Sequence, residues 1–162
     1  VVTVLVAVDG AAMSEHVVRT AHRLFGEAAT YLAINVGPGP YGPMNWASVW
    51  PLAGPSSGVP PEWVADVIER AVETGTAQAE HQAGAVSREA GLARATPIGD
   101  VGDPTVAIVR AAHEHLVDVV VIGATARSWL GRLIEGSVER TLLREADFAV
   151  LVVASDAATT GS

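Results

Sequence analysis

The stretch GDPTVAIVRAAHEHLVDVVVIG, Gly102 to Gly123, reads as a helix running straight into a buried strand. Asp103 stands where a side chain can cap a helix start, and Pro104 fits the first turn, where its missing N–H is not needed. Val106, Ile108, Val109 and Ala112 are the expected inward face of a helix spanning Pro104 to His115. DVVVIG, Asp118 to Gly123, is apolar without alternation, the pattern of a strand covered on both faces in a parallel sheet. Similar runs lie to either side: TVLVAV (Thr3 to Val8), TYLAINV (Thr30 to Val36) and FAVLVV (Phe148 to Val153). ARATPIG (Ala93 to Gly99) is a weaker fifth strand, confined to an edge or an end by Pro97. Helical patterns cover Met13 to Phe25, Pro61 to Ala90 and Val138 to Glu145, so strand and helix alternate along the chain. Parallel neighbours need crossover connections, which predicts one α/β domain over 1–154: a doubly wound, five-stranded parallel sheet in a three-layer α/β/α sandwich.

Composition narrows what such a domain can do. The 162 residues carry a net charge of -8 and no long basic cluster, which argues against a nucleic acid or an anionic membrane as partner. No apolar run reaches the roughly 18 residues of a membrane span, and VVTVLVAVDG lacks the marks of a signal peptide; a soluble, cytoplasmic protein is expected. There is no cysteine, so disulfides, thiolate metal sites and cysteine nucleophiles are excluded. All ten basic residues are arginine, which removes the P-loop lysine, the kinase lysine and Schiff-base chemistry. A G-x-S-x-G nucleophile elbow is missing as well. His113 and His115 are two apart on a helix and face different ways, while His16, His22 and His81 read as surface positions.

Two segments stand outside the alternation. Residues 155–162 form a small polar tail, expected to be disordered. Residues 37–60 make a Gly- and Pro-rich connection longer than is usual between such elements. Tyr41, Trp46 and Trp50 within it require apolar cover, by packing on the domain edge, closing over a site or meeting a partner.

In open parallel sheets ligands bind beyond the carboxyl ends of the strands, where the winding reverses. Asp9, Val36 and Gly123 lie at such ends. A carboxylate closing an apolar strand needs hydrogen-bond donors, supplied either by a ligand or by the start of the helix that follows. After Gly123, the loop GATARSWLGRLIEGS leads to a helix opening at Gly136-Ser137, whose exposed N–H groups make either an anion site or a plain cap. Arg127 and Arg132 are candidate charge partners there.

These residues together resemble the universal stress protein family. The likeness runs from Thr3 to Val153 and rests on VAVDG followed by Ser14-Glu15, on GDP at Gly102 to Pro104, on DVVVIG, and on GSV followed by LLREADFAVLVV. The nucleotide-binding branch carries Gly-x2-Gly-x9-Gly-[Ser/Thr] after the fourth strand; here the frame is Gly123-x2-Ala126-x9-Gly136-Ser137. The resemblance implies strand order 3-2-1-4-5 and an ATP site. Adenine would lie near Asp9, with Ala7 and Val8 beside it, and near Val36; the ribose would lie by Ile122 and Gly123. The phosphates would run along Thr125, Ala126 and Arg127 to the turn at Gly136, Ser137, Val138 and Glu139, with a magnesium or manganese ion on them. It also implies a homodimer through antiparallel pairing of the last strand, Phe148 to Val153, an edge with no proline or charge to block pairing. Alanine at 126 adds a methyl at a phosphate contact, and Glu139 stands where the family commonly has a small hydroxyl residue. Both features keep open a second reading, a dimeric interaction module that binds no nucleotide. No residue reads as a dedicated base, so hydrolysis, if any, is expected to be slow.

Overall fold

The computed structural model describes residues 1–10, 12–39, 61–124 and 146–154. In chain order the elements are β1 (Thr3–Ala7), α1 (Ala12–Phe25), β2 (Thr30–Gly37), α2 (Pro61–Glu89), β3 (Thr96–Val101), α3 (Pro104–Glu114), β4 (Val119–Ala124) and β5 (Ala149–Ala154). The predicted helix Val138 to Glu145, most of the 37–60 connection and the tail 155–162 lie outside the described residues.

All strands are parallel, in the order β3-β2-β1-β4-β5. β1 is central because every residue from Val4 to Val8 is buried, leaving it no face for water. Its alternation divides the core in two. Val4, Val6 and Val8 meet α1 and α2 through Val17, Val18, Ala21 and Ala83. Leu5 and Ala7, with Ile34 and Ile122, meet α3 through Ala107, Ile108, Ala111 and Ala112. Two apolar faces on one sheet are what a run without polar alternation requires. The start of the β1/β4 pair is clasped in both directions. The Thr3 N–H donates to Asp118 Oδ2 at 2.7 Å, and the Asp118 N–H donates to the Thr3 carbonyl at 2.9 Å.

β3 begins three residues later than the run ARATPIG suggests. Gly91, with φ of 95°, and the Ala95 N–H bonded to Leu92 O turn the chain first, and Pro97 then enters the edge strand opposite Ala33. α2 crosses this edge closely: a Cβ on Gly99 would sit 2.0 Å from the Thr76 carbonyl oxygen and 2.4 Å from the Glu80 nitrogen. On α3, Asp103 caps as expected, its Oδ1 accepting from the N–H groups of Thr105 at 2.8 Å and Val106 at 3.1 Å. The predicted inward face needs correction at Val106, which is 62% exposed while Ala107 and Ala111 are buried. The contact row is Ala107–Ala111 beside Ile108–Ala112; two alanines let the helix lie close to the sheet, and the larger Val106 turns outward. Arg110 on this helix pairs with Asp100 Oδ2, tying α3 to the end of β3.

Candidate functional site

The chain leaves β1 for β2 on one side and reaches β4 on the other, so the winding reverses at the carboxyl end of β1. Asp9 stands there. Its N–H donates to Ser14 Oγ at 2.9 Å, and the Ser14 hydroxyl donates to Asp9 Oδ1 at 2.7 Å. Ser14 is buried in the first turn of α1, so this reciprocal pair fixes both the turn and the direction of the carboxylate. Of the two roles open to Asp9, anchoring the helix start is therefore visible. Gly10 completes the turn with φ of 75°, and a Cβ there would lie 2.0 Å from Gln82 Nε2. Glycine at this point is favoured by the backbone conformation, and the Gln82 side chain of α2 fills the space beside it.

A cleft of about 670 Å³ opens beside this turn. β1 and β2 contribute Asp9, Asn35, Val36 and Gly37; α2 forms the opposite wall with Arg70, Thr74, Gln78 and Gln82. The helix residues recur every four positions, so one stripe of α2 faces the opening. Asn35 is only 4% exposed, and its Nδ2 donates to Gln82 Oε1 at 2.7 Å. Among the described residues no cluster of three or more His, Asp or Glu side chains is arranged to hold a metal.

The predicted site residues are distributed unevenly about this cleft. Asp9 and Val36 line it. Ala7 and Val8 are fully buried behind Asp9 and do not line the cleft, and the Val8 N–H is bonded to Ile34 O at 2.8 Å. Ile122 is a core residue, and Gly123 lies beneath α1: a Cβ there would fall 2.8 Å from Val17 Cγ2 and 3.1 Å from Met13 Cγ. Thr125, Ala126, Arg127, Gly136, Ser137, Val138 and Glu139 lie outside the described residues. Sequence reasoning missed the α2 wall and Asn35. The signal was one amide inside the apolar run TYLAINV, a buried polar group that needs a partner. The histidines stay outside the cleft, although His16 and His22 are half-buried, and the His22 ring stands edge-on to Tyr31 at 6.1 Å.

A family model described as the universal stress protein family matches residues 47–154. The chain belongs to the universal stress protein family. Solved structures with the same fold span nearly the whole chain. A universal stress protein in complex with cAMP shares 23% identity over 94% of this chain and 95% of its own, with a TM-score of 0.53. Hypothetical protein MJ0577 shares 18% identity, with coverage of 95% and 96% and a TM-score of 0.61. The universal stress protein UspA from Lactobacillus plantarum shares 18%, with coverage of 94% and 97% and a TM-score of 0.52. No curated protein matches this universal stress protein by sequence. Among its described residues, no helix is long and apolar enough to cross a membrane.

Proposed function

We propose that this universal stress protein binds an adenine nucleotide, ATP first, at the carboxyl ends of β1, β2 and β4. In this reading it serves a regulatory, stress-response role in the cytoplasm as a homodimer paired through Phe148 to Val153. The observation that carries the reading is the cleft beside Asp9, at the carboxyl ends of β1 and β2. Its volume of about 670 Å³ falls within the usual range for small-molecule sites, and a few fixed polar groups line it. The Asp9 carboxylate, held by Ser14, and the Asn35 and Gln82 amides suit the polar edge of a heterocyclic base. A relative with this fold is described in complex with cAMP, which supports adenine as the base. For the other end the family resemblance assigns the phosphates to Gly136 and Ser137, with Ala126, Arg127 and Glu139 beside them, residues outside the described part of the chain. A divalent cation bound with the nucleotide would neutralise phosphate charge and separate it from Glu139.

Calorimetric titration with ATP, ADP and cyclic AMP, with and without magnesium, tests the reading. Binding at micromolar strength or weaker is expected, and Gly136→Val should abolish it by filling the phosphate turn. Absence of heat with all three ligands, from folded dimer, would favour the interaction module instead; Ala126 and Glu139 are the observations on its side.

A further inference from the structure

A second cavity, of about 580 Å³, lies at the other end of the sheet from the cleft, between the turn that leads into β2 and the turn that leads into β3. Tyr31 forms part of its wall, and the ladder fixes where the main-chain groups of Tyr31 point. The Thr30 N–H donates to the Val2 carbonyl at 2.9 Å, toward β1. Successive residues of a strand turn their main-chain groups to opposite sides, so the Tyr31 N–H points toward β3. Pairing with β3 starts only at Leu32 and Thr96. One step earlier the partner of the Tyr31 N–H would be the Arg94 carbonyl, but there the chain is still in its turn. Among the described residues no main-chain carbonyl accepts from the Tyr31 N–H. Tyr31 is buried, and a buried main-chain donor almost always has a partner, so this one calls for an acceptor that the ladder does not supply.

The side chains that line the same cavity are rich in donors. Arg94 is among them, with His22 and the hydroxyls of Thr30 and Thr96. A main-chain N–H and a guanidinium on one cavity suit an oxyanion, to which both make charge-assisted hydrogen bonds. Glu27 is the one acid among the described lining residues, and it penalises a ligand with a second negative charge. Leu92 and Ala29 supply apolar surface for a carbon skeleton. We propose that this cavity is a second binding site, separate from the nucleotide cleft, and that it takes a small organic monocarboxylate. The carboxylate accepts from the Tyr31 N–H and pairs with Arg94, while its carbon body lies against Leu92 and Ala29.

The test titrates the isotopically labelled full chain with sodium benzoate, benzyl alcohol and inorganic phosphate at constant pH and ionic strength, and follows the amide signals by NMR. With benzoate the Tyr31 amide proton is expected to move downfield and to exchange more slowly with solvent, saturating at about millimolar concentration. Benzyl alcohol, of the same shape but neutral, should leave that signal in place. Phosphate, largely a dianion above neutral pH, should bind more weakly than benzoate, and Glu27→Gln should narrow the gap. Arg94→Gln, at an exposed position, should weaken benzoate by about tenfold or more. A Tyr31 signal that benzoate does not move overturns the proposal, as does an equal response to benzyl alcohol or to phosphate. The comparison of the three probes on the unaltered chain decides the matter even where a variant fails to fold, and the nucleotide reading stands or falls independently of it.

Discussion

Gly123 has a packing role that the family resemblance alone does not suggest. The resemblance assigns it to a nucleotide, yet the space above it belongs to Val17 and Met13 of α1. Gly123→Ala is therefore expected to cost about 1–3 kcal/mol of stability by pushing that helix outward, measured as a lower urea midpoint with an unchanged slope. Unaltered stability would mean that packing does not require glycine there. Tyr31 makes a second prediction. Its hydroxyl donates to the Gly26 carbonyl at 2.7 Å, and burial raises its pKa above the usual 10.0. The folded state holds the phenolic proton more tightly than the unfolded chain does. Its stabilising effect is accordingly complete below pH 10.0 and declines as pH rises through the higher folded value. Tyr31→Phe should flatten the loss of stability seen by denaturation between neutral and strongly alkaline pH. At this scale the sequence was partly legible: Asp9 and Val36 could be placed because they end apolar runs. Gln82 could not, because nothing local to a helix says which of its faces meets a strand forty-seven residues away.

Elements were legible where one local cue dominated. The start of α3 was read correctly because the Asp103 and Pro104 signals are chemical and short-range, and Asp103→Ala should cost about 1 kcal/mol, checked by thermal unfolding. Its buried face differs from the expected one at Val106, because the sheet selects the row of alanines that lets the helix come near. α2 poses the opposite case. Its 29 residues extend about 43 Å at 1.5 Å per residue, about twice the length of the six-residue β3 it crosses. The close seam lies at Thr76 and Glu80 against Gly99, while Trp63, near the other end, is 49% exposed. Gly99→Ala should thus be more damaging than Gly123→Ala, at about 3 kcal/mol or more, since backbone atoms rather than side-chain tips block the added carbon. Hydrogen exchange along α2 should slow from Trp63 toward Ala83, following the deepening contact with the sheet. Uniform protection would show that the far half is held by something other than this seam.

For the molecule as a whole, the five-strand order follows from the buried runs and the family resemblance together. The loop after β4 and the helix expected at Val138 are where pattern alone is weakest, since small residues and glycine carry little periodicity. Dimerisation belongs to this scale. Val152 is 47% exposed on β5, the last strand of the sheet, and if the proposed homodimer pairs through β5, Val152→Asp is expected to give monomer in light scattering without lowering helix content. The two borders of the sheet are not alike. β5 has a full set of backbone donors, whereas Pro97 deprives β3 of one. If two copies join by their β5 borders about a twofold axis, the ribbon so formed ends in a proline-bearing strand on both sides. Such a union counts to two and stops, so the chain can join its sheets without seeding a filament.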